Sequence, residues 1–164
     1  MGSLPSRVQH IASGLAELSD VASVQIDQDY SEASAASGRS QPGQSSPPSS
    51  AWSIKVSPKK PRGRSAGSAI TIWLNDDDEG WLNFLGARWY FQGARRQQRG
   101  GDDELVDLAI GIVRNGVTIT GGIVRRTVPL RVVARAASGH RRVARLHVHG
   151  DEPAPRFGPV LPFQ

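Results

Sequence analysis

Cysteine is absent from the chain, and with it go disulfides, thiolate nucleophiles and Cys-ligated zinc, so that stability rests on packing alone. No run of about 18 apolar residues occurs, which predicts no membrane-spanning helix. The first residues lack a basic region followed by an apolar segment, so no secretory signal is read and a cytoplasmic protein is the expectation. There is no glycine-rich phosphate loop and no Gly-x-Ser-x-Gly elbow, and no residue pattern implies a cofactor. Acids are missing from residues 108–150, where Arg114, Arg125, Arg126, Arg131, Arg135, Arg141, Arg142 and Arg145 all stand. The net charge of +5 is therefore unevenly spread, with the acids concentrated at residues 76–79 and 102–107. Such asymmetry points to an anionic partner.

What the chain does have is one segment that marks its own ends. Residues 101–116 read as a helix, with Leu105, Val106, Leu108, Ala109, Ile110, Ile112 and Val113 on one broad arc. Asp103, Glu104, Asp107, Gly111 and Arg114 share the other side. Asp102, Asp103 and Glu104 stand where the helix dipole favours negative charge, and Arg114 with Asn115-Gly116 supplies a cationic, left-handed finish. Burial of six or seven such side chains, at about 1.5–3 kcal/mol each, makes this helix a main source of stability. An arc this wide calls for a sheet beneath it.

A narrower stripe of Val8, Ile11, Leu15 and Leu18 predicts a first helix over 6–18, entered at Leu4-Pro5. Alternation at Val24 and Ile26, at Trp52, Ile54 and Val56, and at Ile70, Ile72 and Leu74 predicts strands, followed by two more in 81–92, where Gly86 suggests a bend. Beyond the central helix, Val117-Thr118-Ile119-Thr120 and a hairpin spanning 123–148 read as further strands, with Val128, Leu130, Val132 and Ala134 facing away from Arg131 and Arg135. Residues 31–50, rich in serine, proline and glycine without a large apolar side chain, read as a flexible insertion. The fold class expected is α+β, with a single antiparallel sheet of about five to seven strands packed by helices at 6–18 and 102–115. One domain over 1–150 is expected, followed by an extended, proline-rich tail at 151–164.

Three groups of residues are candidates for function. The first is a basic surface of Lys59, Lys60, Arg62, Arg64, Arg125, Arg126, Arg131, Arg135, Arg141, Arg142 and Arg145. It would meet an acidic protein partner, which suggests a non-catalytic binding protein of the inhibitor, immunity or adaptor-chaperone kind, of unspecified oligomeric state and with no membrane association. The same residues allow nucleic acid as the alternative. Lys59-Lys60-Pro61-Arg62-Gly63-Arg64 resembles the core of an AT-hook, in which glycine lets an extended backbone reach the floor of the minor groove while the arginines run along it. The second group is His147 and His149. Their spacing puts both imidazoles on one strand face, near His140, Asp151 and Glu152, and the weaker reading of a metal site or small enzyme starts there. The third is the set Trp52, Trp73, Trp81, Trp89, Tyr90 and Phe91. Trp52 belongs inside with Ile54 and Val56, and Trp73 outside. If Trp73 and Trp89 or Tyr90 share an outer face with arginines, they offer a stacking surface for single-stranded nucleic acid.

Overall fold

A computed structural model of the chain describes residues 4–29, 51–60, 68–75, 79–92, 101–121, 130–146, 158–160 and 162–163. The insertion at 31–50 lies outside them.

Helix α1 (Ser6–Leu15) buries Val8, Ile11 and Leu15, and a 3₁₀ turn at Ala16–Leu18 extends the stripe by burying Leu18. Strands β1 (Ala22–Asp29), β2 (Ala51–Pro58), β3 (Ile70–Leu74), β4 (Glu79–Phe84) and β5 (Ala87–Gln92) form an antiparallel meander, here called sheet A. The β4–β5 connection is a two-residue turn at Leu85 (φ 51°) and Gly86 (φ 78°). Positive φ at both positions matches the twist of the flanking strands. Helix α2 (Gly101–Asn115) follows, with its acidic first turn and Arg114 in its last. The helix ends as its sequence predicts: Gly116 takes φ 69° and its N–H bonds the Ile112 carbonyl at 2.9 Å.

The remaining strands are β6 (Val117–Thr120), β7 (Arg131–Arg135), β8 (Arg141–Arg145) and β9 (Gly158–Val160). They form a second antiparallel sheet, sheet B, in the order β8-β7-β6-β9. The α+β class with antiparallel pairing is thus as read from the sequence, but the single sheet of five to seven strands is corrected to two sheets, of five and four strands among the described residues. Alternation identifies a strand without saying which strand lies beside it, and β5 and β8 lie side by side but pair only at an isolated bridge between Ala87 and Leu146. Strand β9 carries no period at all in three residues. It pairs with β6 at an edge, where Pro159, opposite Thr118, forfeits no ladder donor that the sheet needs.

One core joins both sheets. The inward faces of β2, β3 and β4 supply Ile54, Val56, Ile72, Leu74, Leu82 and Phe84. They pack with the α1 stripe and with Leu105, Leu108, Ile112 and Val113 of α2. The chain end closes the far side, with Phe163 buried 6.1 Å from the Phe84 ring centroid and its N–H bonded to the Val113 carbonyl at 2.9 Å. Helix α2 touches α1, β4, β5 and β7, so it spans the seam between the sheets. Its second face is solvated only in part: Asp103, Glu104 and Arg114 are exposed, but the middle of the face is covered. Gly111, expected toward water, is buried, because the β7–β8 hairpin crosses the helix there. The Asp107 carbonyl accepts the Ala137 N–H at 3.0 Å and the Asp107 carboxylate accepts the Ser138 N–H at 2.9 Å.

Candidate functional site

The hairpin held by α2 presents its outer face to solvent. Register places Arg131 opposite Arg145, Val133 opposite Val143 and Arg135 opposite Arg141. All four arginines are exposed, Val143 is 44% exposed, and Val132, Ala134 and Ala144 point the other way into the core. Sheet B therefore carries two cationic rows, four residues or about 13 Å apart along the strands, with an apolar pair between them. Like charges directly opposite one another disfavour the sheet that carries them. Among the described residues, none of the four takes part in an ion pair. Arg135 donates to the Gly139 carbonyl at 3.1 Å, which fixes its direction.

The other basic candidates divide differently. Arg142 shares the hairpin but sits on its opposite side, paired with Glu104 of α2. The Lys59 ammonium donates to the Ser19 carbonyl, so that charge braces the end of β2 against the turn after α1. Lys60 is exposed. Arg62, Arg64, Arg125, Arg126, His147 and His149 lie outside the described residues. Among the described residues no group of three or more histidines and acids is placed to hold a metal. No helix there is long and apolar enough to cross a membrane.

A serine, a histidine and an aspartate do meet at the hairpin turn, in a groove of about 420 Å³ walled also by Glu104 and Arg142. Ser138 Oγ donates to the Asp107 carboxylate and lies 3.0 Å from His140 Nδ1. A nucleophilic serine has to give its proton to the imidazole, with the carboxylate behind that ring. Here the carboxylate takes the serine proton directly, so Oγ is left to accept from the imidazole. The trio locks the turn to the helix. The chain matches no protein-family model, no curated protein and no solved structure.

The aromatic residues fall on both faces of sheet A. Trp89 and Phe91 are buried in the core, and the Trp89 indole N–H has no hydrogen-bond partner among the described residues. Trp52 is half-buried beside Ile54 and Val56, as expected. Trp73 lies opposite Trp81, and Trp81 opposite Tyr90, so these three form a row on the outer face. Tyr90 is 53% exposed, yet partial burial, followed by a hydrogen bond to the Glu79 carboxylate and the charge of that group, pushes its pKa up to about 12. A raised value means that the folded state favours the neutral phenol. Its contribution is whole below the ordinary value near 10 and fades as pH climbs toward about 12. A phenolate absorbance titration is expected to show one of the chain's two tyrosines ionising near 12, a step that disappears in Tyr90→Phe.

Proposed function

We propose that the protein is a non-catalytic binding protein that seats an acidic protein partner on the outer face of sheet B. The observation that carries this reading is the bracketing of the Val133–Val143 pair by the cross-strand pairs Arg131–Arg145 and Arg135–Arg141. Protein interfaces place apolar groups at their centre, where water is excluded, and set arginines and other polar groups around them. A carboxylate-bearing surface answers the arginines with charge-assisted, bidentate hydrogen bonds while its own apolar group covers Val143. A phosphate backbone would meet the arginines equally well but has no use for the valines. The pairing of Arg142 with Glu104 supports the same division of labour, since one cation holds the hairpin to α2 and its neighbours remain available.

Affinity capture with the full chain as bait tests the reading, using wild type, Arg131→Ala/Arg145→Ala and Val143→Ser in parallel. Wild type is expected to retain a protein of acidic isoelectric point after nuclease treatment, with retention falling as salt rises from about 0.1 to 0.5 M. Both variants are expected to bind that protein at least about tenfold more weakly, as loss of a central interface contact does. Retention that vanishes with nuclease, or that ignores Val143→Ser while responding to the arginines, assigns the face to nucleic acid instead.

A further inference from the structure

The outer face of sheet A is built unlike that of sheet B. Register aligns Asp27, Ser53, Trp73, Trp81 and Tyr90 in one row across five strands, and Gln25, Lys55, Thr71, Asn83 and Arg88 in the next. Both helices pack on the opposite face, where Ile54, Ile72, Leu82 and Trp89 lie in the core cluster with them. The first row thus sets three aromatic rings on three successive strands, about 4.8 Å apart from strand to strand. The second row runs alongside with two cations and no acid.

The two rows are tied together. The Arg88 guanidinium lies 5.9 Å from the Trp81 ring centroid, and its Nε donates to Asn83 Oδ1 at 3.1 Å, so a cationic plane is held against the aromatic row. Among the described residues, two acids beside the aromatic row are held by neighbouring amides. Asp27 accepts from the Gln25 amide at 3.0 Å, and Glu79 accepts from the Asn75 amide at 3.3 Å. What remains to meet a ligand is a strip of π-faces edged by Lys55 and Arg88.

We propose that this face binds single-stranded nucleic acid without marked sequence preference, its bases stacking along Trp73, Trp81 and Tyr90 while its phosphates follow Lys55 and Arg88. Every base offers a π-face, and an unpaired strand leaves that face open, whereas a duplex hides it within its own stack. A cation held against the Trp81 ring, with Lys55 farther along the same neighbouring row, suits the alternation of base and phosphate in such a strand. A neutral glycan would use the rings but leave both charges unanswered. The site lies on a different sheet from the face proposed for the acidic protein, the two adjoining where β5 meets β8, and either assignment can fail alone.

The test uses the full chain and a fluorescein-labelled oligothymidylate of about 15 nucleotides, within the span that such sheet platforms occupy. Anisotropy is expected to show binding that weakens with salt, accompanied by quenching of tryptophan emission. Tyr90→Ala is expected to weaken binding about tenfold and Arg88→Ala by a similar factor, while Tyr90→Phe, which keeps the ring, stays within about twofold. Both side chains are exposed, so unchanged melting temperatures will show that the fold is intact. Arg141→Ala, at the turn end of the sheet B hairpin, is expected to leave this affinity unaltered. Equal affinity for a duplex of the same length, indifference to both Tyr90→Ala and Arg88→Ala, or quenching by a β-linked glucose oligosaccharide in place of the oligonucleotide would each overturn the assignment.

Discussion

Gly111→Ala is expected to destabilise the protein by about 2–4 kcal/mol, whereas Gly14→Ala stays within about 1 kcal/mol of wild type, although each change puts a better helix former into a helix. A methyl group at Gly111 would lie 2.1 Å from the Arg135 carbonyl oxygen and 2.6 Å from the Ala136 backbone. Those atoms belong to the hairpin and cannot rotate away, so hairpin and helix have to separate. Separation stretches the bonds from Ala137 N–H and Ser138 N–H to Asp107, each worth about 0.5–1.5 kcal/mol. The gain in helix propensity, about 1 kcal/mol, offsets only part of this. At Gly14 the nearest atom is Val106 Cγ1 at 2.8 Å, the end of a half-exposed side chain that can turn aside. Thermal melts read both changes directly, and a loss of this size at Gly111 lowers the midpoint by about 5–15 °C in a chain of this length. A Gly111→Ala protein that melts no lower than wild type would mean that the hairpin does not rest on α2. The orientation inferred for the arginine rows would then go with it.

The same glycine shows where sequence reasoning stops. The ends of α2, its acidic first turn and its apolar arc are encoded within about four turns of chain, and all were legible. Gly111 falls among Asp103, Asp107 and Arg114 on the projection and so reads as a solvated position. The available signal was the glycine itself, since its cost in mid-helix usually repays a close approach by another backbone. Parity carried further than composition did. Counting arginines puts Arg142 with Arg141 and Arg145, but the two-residue period of β8 turns it to the other face, toward Glu104. The same period sorts Trp73 from Trp52 and Trp81 from Leu82, and from it the aromatic row could have been drawn. Which strands are neighbours could not be drawn in that way. The partition into two sheets depends on α2 carrying the chain from β5 to β6 and on β9 returning to pair with β6, and both are long-range choices that no local period encodes.

Arg7→Ala is expected to cost about 2–3 kcal/mol, several times the cost of Arg142→Ala, although each removes one arginine from a pair with an α2 acid. The difference lies in burial and in the number of elements joined. Arg7 Nε donates to both Asp102 carboxylate oxygens, at 2.9 and 3.0 Å, and Nη2 adds a third bond at 2.8 Å. Its Nη1 reaches the carbonyls of Glu79 at 3.0 Å and Asn75 at 3.4 Å. One guanidinium therefore fastens α1 to the start of α2 and to the turn between β3 and β4, with side-chain exposures of only 16% for Arg7 and 22% for Asp102. Removing it leaves a half-buried carboxylate and the Asn75 carbonyl short of donors at the point where three elements meet, and leaves the Glu79 carbonyl with only the Asn75 N–H at 3.2 Å. Arg142 and Glu104 are 41% and 54% exposed, so water replaces either partner, and the expected loss is below about 1 kcal/mol. Arg7→Lys restores the charge without the planar fork, and is expected to recover less than half of the Arg7→Ala loss. A double-mutant cycle with Asp102→Ala, read by urea denaturation, is expected to give a coupling of about 1–2 kcal/mol. Additive losses there would mean that the carbonyl contacts, not the carboxylate, account for the effect, and equal costs for Arg7→Ala and Arg142→Ala would show that the three-way junction does not hold the fold together.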